Sequence, residues 1–311
     1  AVTVTVNAGT GSTKVLTTLD ASSSTGNITF LGTSQNATPA TAYKVATITT
    51  GAGKDTVTLK ADTDAGSGST AAVGASVTTG AGDDTITVDT NHGSLATHTG
   101  TTSVDAGEGN DTVMITSRSS GKLTVNLGAG TDNFTSLVPV LATDSIDAGT
   151  GSDTLLLSLV GSTNVGAFSN FDIYDVKGLS NNLDLDILTA KNFVSEIVGS
   201  AALGSNSSLL NLGSVNFRAI ADMGTSTTLT LTQKAAGALT VTLDADETGT
   251  ADIQIDTSDA KVTASNATSL KAVFDTSYLA DITGETTGAT DNVSKITLTG
   301  AAATSLEVVS G

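Results

Sequence analysis

The segment TGAGDDTITV, Thr79–Val88, decides how this chain is expected to fold. It contains two glycines one residue apart, an Asp two residues after the second glycine, and a tail in which apolar and polar residues alternate. An alternation with a period of two predicts a β-strand. The glycine pair before it allows three interpretations: a nucleotide-binding loop, a metal-binding loop or a polar turn.

The same pattern occurs five times in the first half of the chain. The copies begin at Thr50, Thr79, Ala106, Leu127 and Ala148. An apolar residue stands three positions before each first glycine, namely Ile48, Val77, Val104, Val125 and Ile146. A second apolar residue stands two positions after each Asp, namely Val57, Ile86, Val113, Phe134 and Leu155. Four positions that keep this register in every copy predict one repeated structural unit.

Two weaker copies begin at Asn7 and Asp64, and they carry Thr13 and Thr70 where the others have Asp. Threonine is a poor metal ligand, so for these two copies the sequence favours a polar turn. The nucleotide interpretation fails for all copies. A dinucleotide loop needs a third glycine and opens a helix, whereas each copy here runs into a β-pattern.

The residue types at the repeated positions suit a hard cation. Glycine allows a positive φ, so that the chain turns sharply and its carbonyl oxygens can point inward. Asp adds an anionic oxygen, and Ca²⁺ takes six to eight oxygen ligands. One loop cannot supply them all, but two loops stacked at the strand spacing of about 4.8 Å could share an ion. The alternative, that each Asp caps a local backbone amide in a polar turn, stays open.

These motifs resemble the G-G-x-G-x-D-x-U-x repeats of the RTX family, in which U is a large apolar residue. The resemblance implies a calcium-loaded parallel β-roll over roughly the first half of the chain. The copies in this chain differ from the family motif in two ways. The first glycine of the family motif is replaced in every copy, by Thr50, Thr79, Ala106, Leu127 and Ala148. The first glycines of the pairs stand at 51, 80, 107, 128 and 149, at steps of 29, 27, 21 and 21 residues. Such steps indicate whole solenoid turns with the motif on one edge only.

The resemblance implies a single column of several Ca²⁺ ions. Its carboxylate ligands would be Asp55, Asp84, Asp111, Asp132 and Asp153. Its backbone carbonyl ligands would come from Gly51, Gly53, Gly80, Gly82, Gly107, Gly109, Gly128, Gly130, Gly149 and Gly151. Asp105 and Asp147, two residues before a first glycine, are expected as extra ligands. Asp83 falls in a position filled elsewhere by Lys54, Asn110, Thr131 and Ser152, so its side chain is expected to face solvent, free of the ion.

The second half lacks the motif but keeps its β-character. Leu239, Val241 and Leu243 alternate with polar residues, as in a half-buried strand. We therefore expect an all-β chain: a right-handed parallel β-roll or β-helix with calcium-binding turns over residues 1–160, and a Thr/Ala/Ser-rich β-solenoid or β-helix segment over 161–311. The chain is expected to be a processed product or a fragment. Asp244, Asp246, Asp252 and Asp256 form an acidic face, which a solvated strand explains better than a further metal site.

Composition excludes several function classes. With Asp+Glu 31 against Lys+Arg 13 and a net charge of −18, no basic surface is available for nucleic acid or for an anionic membrane. The run TLLLSLV, Thr154–Val160, is too short to cross a bilayer, so no transmembrane segment is expected. His92 and His98 are the only histidines. The nucleophile motif G-x-S-x-G is absent, so no enzyme is expected.

Calcium motifs followed by Thr/Ala/Ser-rich β-sequence, few aromatic residues and an acidic charge resemble RTX-type bacterial surface-layer proteins. This resemblance implies a homo-oligomeric two-dimensional lattice on the cell surface, type I secretion, and folding and assembly triggered by calcium after secretion. Cell-surface polysaccharide is a further expected partner, through a segment outside this chain. Two alternatives stay open: an RTX adhesin or glycan-binding module, and a calcium-dependent polysaccharide lyase.

Overall fold

A computed structural model describes residues 1–6, 18–32, 46–60, 74–90, 100–118, 121–188, 191–213, 215–220, 227–243, 261–274 and 305–310. In these residues regular structure is almost entirely β. Helical structure within them is limited to 3-10 turns at Leu157–Leu159, Val165–Ala167 and Leu185–Ile187. No helix in the described ranges has the length and hydropathy to cross a membrane. The predicted all-β class is confirmed.

The chain divides into two compact units, and the first comprises Ala1–Thr154 and Thr163–Phe171. Fifteen strands begin in this unit: β1 (Val2–Val6), β2 (Thr18–Asp20), β3 (Ile28–Gly32), β4 (Ala46–Thr49), β5 (Thr56–Lys60), β6 (Ala75–Ala81), β7 (Thr85–Thr90), β8 (Thr102–Glu108), β9 (Thr112–Arg118), β10 (Leu123–Gly130), β11 (Asn133–Ser136), β12 (Ser145–Asp147), β13 (Thr150–Gly151), β14 (Thr154–Leu156) and β15 (Phe168–Ser169).

These strands form two parallel sheets, and in every turn the chain passes from one sheet to the other and back. The first sheet has the order β1-β3-β5-β7-β9-β11-β14, and the second has the order β15-β12-β10-β8-β6-β4-β2, with β13 paired to β10. Apart from β12 and β13, which both belong to the second sheet, consecutive strands of the chain lie in different sheets, and neighbours within a sheet come from successive turns. This arrangement is the predicted β-solenoid.

The two apolar positions of the motif build the core between the sheets. In the second sheet Ile48 pairs with Val77, Val77 with Val104, Val104 with Val125, and Val125 with Ile146. In the first sheet Val57 pairs with Ile86, Ile86 with Val113, and Val113 with Phe134. All of these side chains are at most 1% exposed. Because side chains of a strand alternate between its two faces, the polar residues between them point outward.

The second unit comprises Leu155–Ser162 and Asp172–Gly311. Its strands are β16 (Ile173–Asp175), β17 (Asn182–Asp184), β18 (Glu196–Gly199), β19 (Ser207–Leu212), β20 (Asn216–Ala219), β21 (Thr228–Leu243), β22 (Lys261–Phe274) and β23 (Ser305–Ser310). They pair in the order β16-β18-β20-β21-β19-β17, and β22 adds to β21 and β23 to β22, all in parallel. Leu239 and Val241 are buried, as their alternation predicts.

Candidate metal centre

The Gly-x-Gly-x-Asp segments form the turns that connect the second sheet to the first. In the copy at Thr79–Val88, β6 ends at Ala81 and β7 begins at Thr85. The other copies connect β4 to β5, β8 to β9, β10 to β11 and β12 to β14 in the same way. All five motif turns therefore stack along one edge of the solenoid, which we call the motif edge.

Stacking at the motif edge explains why glycine is needed there. Gly107 has a φ of +108°, a conformation that side-chain-bearing residues rarely adopt. A Cβ atom added to it would stand 1.8 Å from the carbonyl oxygen of Gly80 in the preceding turn. Gly151 repeats this geometry against the carbonyl oxygen of Gly130, at 1.7 Å. Each glycine thus lets a carbonyl oxygen of the turn before it approach its backbone directly.

The predicted carbonyl ligands take part in the backbone pairing of this edge. The carbonyl oxygen of Gly51 accepts a hydrogen bond from the N–H of Ala81 at 3.0 Å, and that of Gly130 accepts one from Ser152 at 3.0 Å. A carbonyl oxygen has two lone pairs, so such a bond leaves room for a cation. Nine of the ten predicted glycines have a positive φ, all except Gly51.

The five motif carboxylates form a buried column, which we call the Asp ladder. Asp55, Asp84, Asp111, Asp132 and Asp153 are at most 2% exposed. One oxygen of each accepts the backbone N–H of the residue at the same position in the preceding turn, at 2.7–2.8 Å. The donors are Ile28, Asp55, Asp84, Asp111 and Asp132. The amide that each Asp caps therefore belongs to another turn, and is not local as a simple polar turn would have it.

The second oxygen of the ladder carboxylates lacks a protein donor at four positions. Oδ2 of Asp55, Asp84, Asp111 and Asp132 is buried and accepts no hydrogen bond from the protein. A buried acceptor without a partner costs about 1–3 kcal/mol, and more when it is charged. Four successive turns thus repeat the same unsatisfied oxygen, a feature that native proteins seldom tolerate without an ion or water.

Burial raises the pKa of three of these carboxyl groups. It raises the pKa of Asp84 to about 6 and that of Asp111 to about 7, although the N–H of the preceding ladder residue opposes the effect. Burial also raises the pKa of Asp132. The charges of neighbouring ladder residues add to the rise at Asp84 and Asp111. The ladder therefore holds its negative charge poorly unless a cation neutralises it.

The donor set fits a hard cation such as Ca²⁺. It consists only of carboxylate and carbonyl oxygens, which Ca²⁺ prefers, with neither nitrogen nor sulfur. Within the described residues no three His, Cys, Asp or Glu side chains converge on one point. An ion between two turns would accordingly take at most two ladder carboxylates, and the remaining ligands would be carbonyl oxygens and water.

Asp105 and Asp147 belong to strands of the second sheet. Each is flanked by buried residues in a strand of the second sheet, so its side chain points to the outer face. Asp105 accepts a hydrogen bond from Nδ2 of Asn126 at 3.0 Å, and Asp147 accepts one from Nδ2 of Asn170 at 2.6 Å. Asp147 also accepts the N–H of the motif glycine Gly149 at 3.1 Å, and a ligand role for these two carboxylates stays a prediction.

Asp83 is exposed, as its variable position predicts. Its side chain nevertheless forms a hydrogen bond with the following turn. Its Oδ1 accepts the backbone N–H of Asn110 at 2.9 Å. Asn110 in turn accepts the N–H of Thr131 at 2.8 Å, and Asn27 accepts that of Lys54 at 3.1 Å. In this exposed column, the outer ladder, three side chains each accept an N–H from the following turn, whereas every carboxylate of the Asp ladder accepts an N–H from the preceding turn.

The stack contains one further turn at Gly26–Ile28, which lacks the motif. Thr29 pairs with Thr56 and Phe30 with Val57, which aligns Ile28 with Asp55 and Gly26 with Gly53. Ile28 is 4% exposed and donates its N–H to Asp55, so an apolar residue ends the column there. The signal in the sequence was the pair Gly26-Asn27 before the strand ITFLG, without a first glycine or an Asp.

Several predicted positions lie outside the described residues. They are Asn7 and Thr13, Asp64 and Thr70, His92 and His98, and Asp244, Asp246, Asp252 and Asp256. Comparison of the chain with family models, with curated proteins and with solved structures finds no match.

Proposed function

We propose that this protein is a structural component of a bacterial surface layer, and that calcium bound along the Asp ladder holds its solenoid together outside the cell. The observation that carries the proposal is the row of four buried carboxylate oxygens without a protein donor. A cation between successive turns would neutralise these carboxylates and complete their coordination. The ladder carboxylates and the glycine carbonyls of the motif edge would hold it.

Calcium in this role supplies charge neutralisation and cross-linking, and no reaction. A chain with a net charge of −18 repels itself when it is compact. Extracellular-type sites bind Ca²⁺ with dissociation constants of about 10⁻⁴–10⁻³ M, so they would stay empty in a cytosol and fill after secretion. Because a site shared between turns does not exist in the unfolded chain, its binding free energy becomes folding free energy.

The layer role rests on the shape of the repeat and on composition. A solenoid grows by addition of turns and needs little aromatic core, in keeping with the 3% aromatic residues of this chain. A glycan-binding adhesin would be expected to expose a cluster of aromatic side chains. Among the described side chains Phe193 is the exposed aromatic one, at 87%, so the described surface gives that alternative little support.

The test combines a folding measurement with imaging. The protein is stripped of calcium with a chelator and titrated with Ca²⁺, while circular dichroism and the hydrodynamic radius are followed. We expect β-structure to rise and the radius to fall at submillimolar to millimolar calcium. Electron microscopy of the calcium-loaded sample should then show ordered sheets. Unchanged dichroism and radius after chelation would refute the calcium role, and dispersed monomers at all calcium concentrations would refute the layer role.

A further inference from the structure

The outer face of the first sheet in the first unit is almost uniformly hydroxylated. One outward column consists of Thr29, Thr56, Thr85, Thr112, Asn133 and Thr154, which pair in register along successive strands. All six side chains are half-buried or exposed. We call this column, together with the one beside it, the threonine face.

The neighbouring outward column is also uncharged. It carries Thr58, Thr87 and Thr135, together with the apolar residues Leu31 and Met114. Among the side chains that the structure describes on this face, the first charged one in β7 is Asp89, next to the last residue of that strand. Two adjacent columns across the sheet thus avoid charge in a chain that has 31 acidic residues.

The outer face of the second sheet differs in charge. One of its columns, Thr18, Thr47, Ser76, Ser103, Thr124 and Ser145, is hydroxylated. The adjacent column contains three carboxylates, Asp20, Asp105 and Asp147. Two copies of the chain that met through this face would bring carboxylates together, and facing like charges cost several kcal/mol in an interface.

From this contrast we propose that the threonine face is the surface through which the first unit binds a second copy of the same chain. A hydroxyl both donates and accepts hydrogen bonds, so an array of hydroxyls is complementary to its own copy. A carboxylate only accepts, so an array of carboxylates is not. The threonine methyl groups, Leu31 and Met114 add apolar area, and parallel strands in register repeat the pattern in every turn.

The expected strength of this contact is low for one pair of molecules. Six strands at about 4.8 Å cover only about 24 Å, and two columns of side chains make a patch smaller than a standard interface of about 800 Å² per partner. Repetition in an array raises the overall strength without any new contact. The inference rests on the proposed self-assembly and names the surface that would carry it.

The test adds the same charge to each face in turn. Thr85→Glu combined with Asn133→Glu places two carboxylates on exposed positions of the threonine face, two turns apart. Ser103→Glu combined with Ser145→Glu places two carboxylates on the outer face of the second sheet, at a half-buried and an exposed position that are also two turns apart, and serves as the control. Assembly is followed by light scattering and electron microscopy at saturating calcium, and folding by calcium-dependent circular dichroism. The single variant Thr85→Glu repeats the test if the double variant does not fold.

We expect the threonine-face variants to raise the protein concentration needed for assembly by about tenfold or more, equivalent to ~1.4 kcal/mol, while the control assembles like the wild type. Equal behaviour of the two double variants, or a larger effect of the control, would overturn the inference and leave the calcium role intact. A wild-type protein that folds with calcium but stays monomeric would overturn both the inference and the layer role.

Discussion

The two edges of the first solenoid unit treat a buried carboxylate in different ways. At the motif edge each ladder Asp accepts the N–H of the preceding turn with one oxygen, and Oδ2 of four of them has no donor. At the opposite edge Asp144 also accepts an N–H of the preceding turn, that of Leu123, at 2.9 Å. Its other oxygen, however, accepts from the N–H of Leu141 at 2.6 Å and from the Arg118 guanidinium at 2.7 Å.

The difference shows what the Asp ladder lacks. Asp144 and Arg118 have side chains that are 0% and 8% exposed, so the carboxylate is as deeply buried as those of the ladder. Where the fold has room for a long cationic side chain, Arg118 neutralises the charge. Along the motif edge no described cationic side chain forms an ion pair with Asp55, Asp84, Asp111 or Asp132, and Lys54, the basic residue of these turns, is exposed. A small inorganic cation can take that place, and this is the physical basis of the calcium proposal.

The largest expected loss of stability comes from removing the cation that pairs with Asp144, which would leave this carboxylate buried and unneutralised like those of the Asp ladder. In Arg118→Ala the Asp144 carboxylate stays buried without its cation, which costs about 3–5 kcal/mol for a buried pair. Denaturant unfolding at saturating calcium measures this loss. The control is Arg218→Ala, which breaks the more exposed pair with Glu196 and should cost about 1 kcal/mol or less. If both variants lose the same stability, the contrast between the two edges is not electrostatic.

Because the motif repeats, the fold could be predicted from the sequence. The candidate site could be predicted only in part. The apolar positions Val77 and Ile86 and their sister residues predicted the core columns, because a solenoid turn must repeat its inward residues. The sequence singles out the motif Asp as a metal ligand, which stays a prediction, whereas its bond to the N–H of another turn depends on the register between turns. One motif copy does not encode that register.

Other features escaped sequence reasoning for related reasons. The turn at Gly26–Ile28 lacks both the Asp and the first glycine, so only its pairing with Thr56 and Val57 reveals it. Asp105 stands two residues before a glycine, close to the motif in sequence, yet the alternation of the strand turns it outward. Arg118 and Asp144 are 26 residues apart, and no local pattern connects them.

The second prediction uses the adjacent residues Asp83 and Asp84, which belong to the outer ladder and the Asp ladder. Asp84→Asn keeps an oxygen to accept the N–H of Asp55 but removes the charge from the buried column. We expect it to lose the calcium-dependent stability of its site, about 1.4 kcal/mol when calcium is tenfold above the dissociation constant. Asp83→Asn removes one charge from the exposed column and should keep that stability. Denaturant unfolding with and without calcium, and calorimetric titration, measure the difference.

Two results would contradict this assignment. Equal loss of calcium-dependent stability in both variants would mean that calcium responds to overall charge and not to the ladder. A loss confined to Asp83→Asn would move the site to the exposed column.

The third prediction concerns pH in the absence of calcium. The folded-state pKa is raised to about 6 at Asp84 and about 7 at Asp111, above the unfolded value of about 3.9. The folded state therefore binds protons more tightly than the unfolded state, and stability that is present below pH 4 is lost as the pH rises through 6 and 7. We expect the chelated protein to melt about 5 °C or more higher at pH 5 than at pH 8.

Calcium should weaken or reverse this dependence, because it stabilises the charged carboxylates that high pH produces. Asp111→Asn, which removes the group with the pKa of about 7, should flatten the calcium-free profile between pH 6 and 8. Thermal melts followed by circular dichroism over this range test both statements. A calcium-free melting temperature that increases from pH 5 to pH 8 would show that the ladder is not a buried, destabilised array of charge.

The smallest expected effect concerns the gap in the outer ladder. Asn27, Asp83 and Asn110 each accept an N–H from the following turn, but Lys54, which stands between Asn27 and Asp83, has no acceptor to offer Asp83. Lys54→Asn should add this bond and stabilise the protein by about 0.5–1 kcal/mol, or about 2 °C in a thermal melt. Lys54→Gln loses the same charge but is one methylene longer, so it controls for electrostatics. Equal melting temperatures for the two variants would mean that the hydrogen bonds of the outer ladder result from the stacking of the turns and do not stabilise it. The buried Asp ladder would then be the column of side chains that sets the stability of the motif edge.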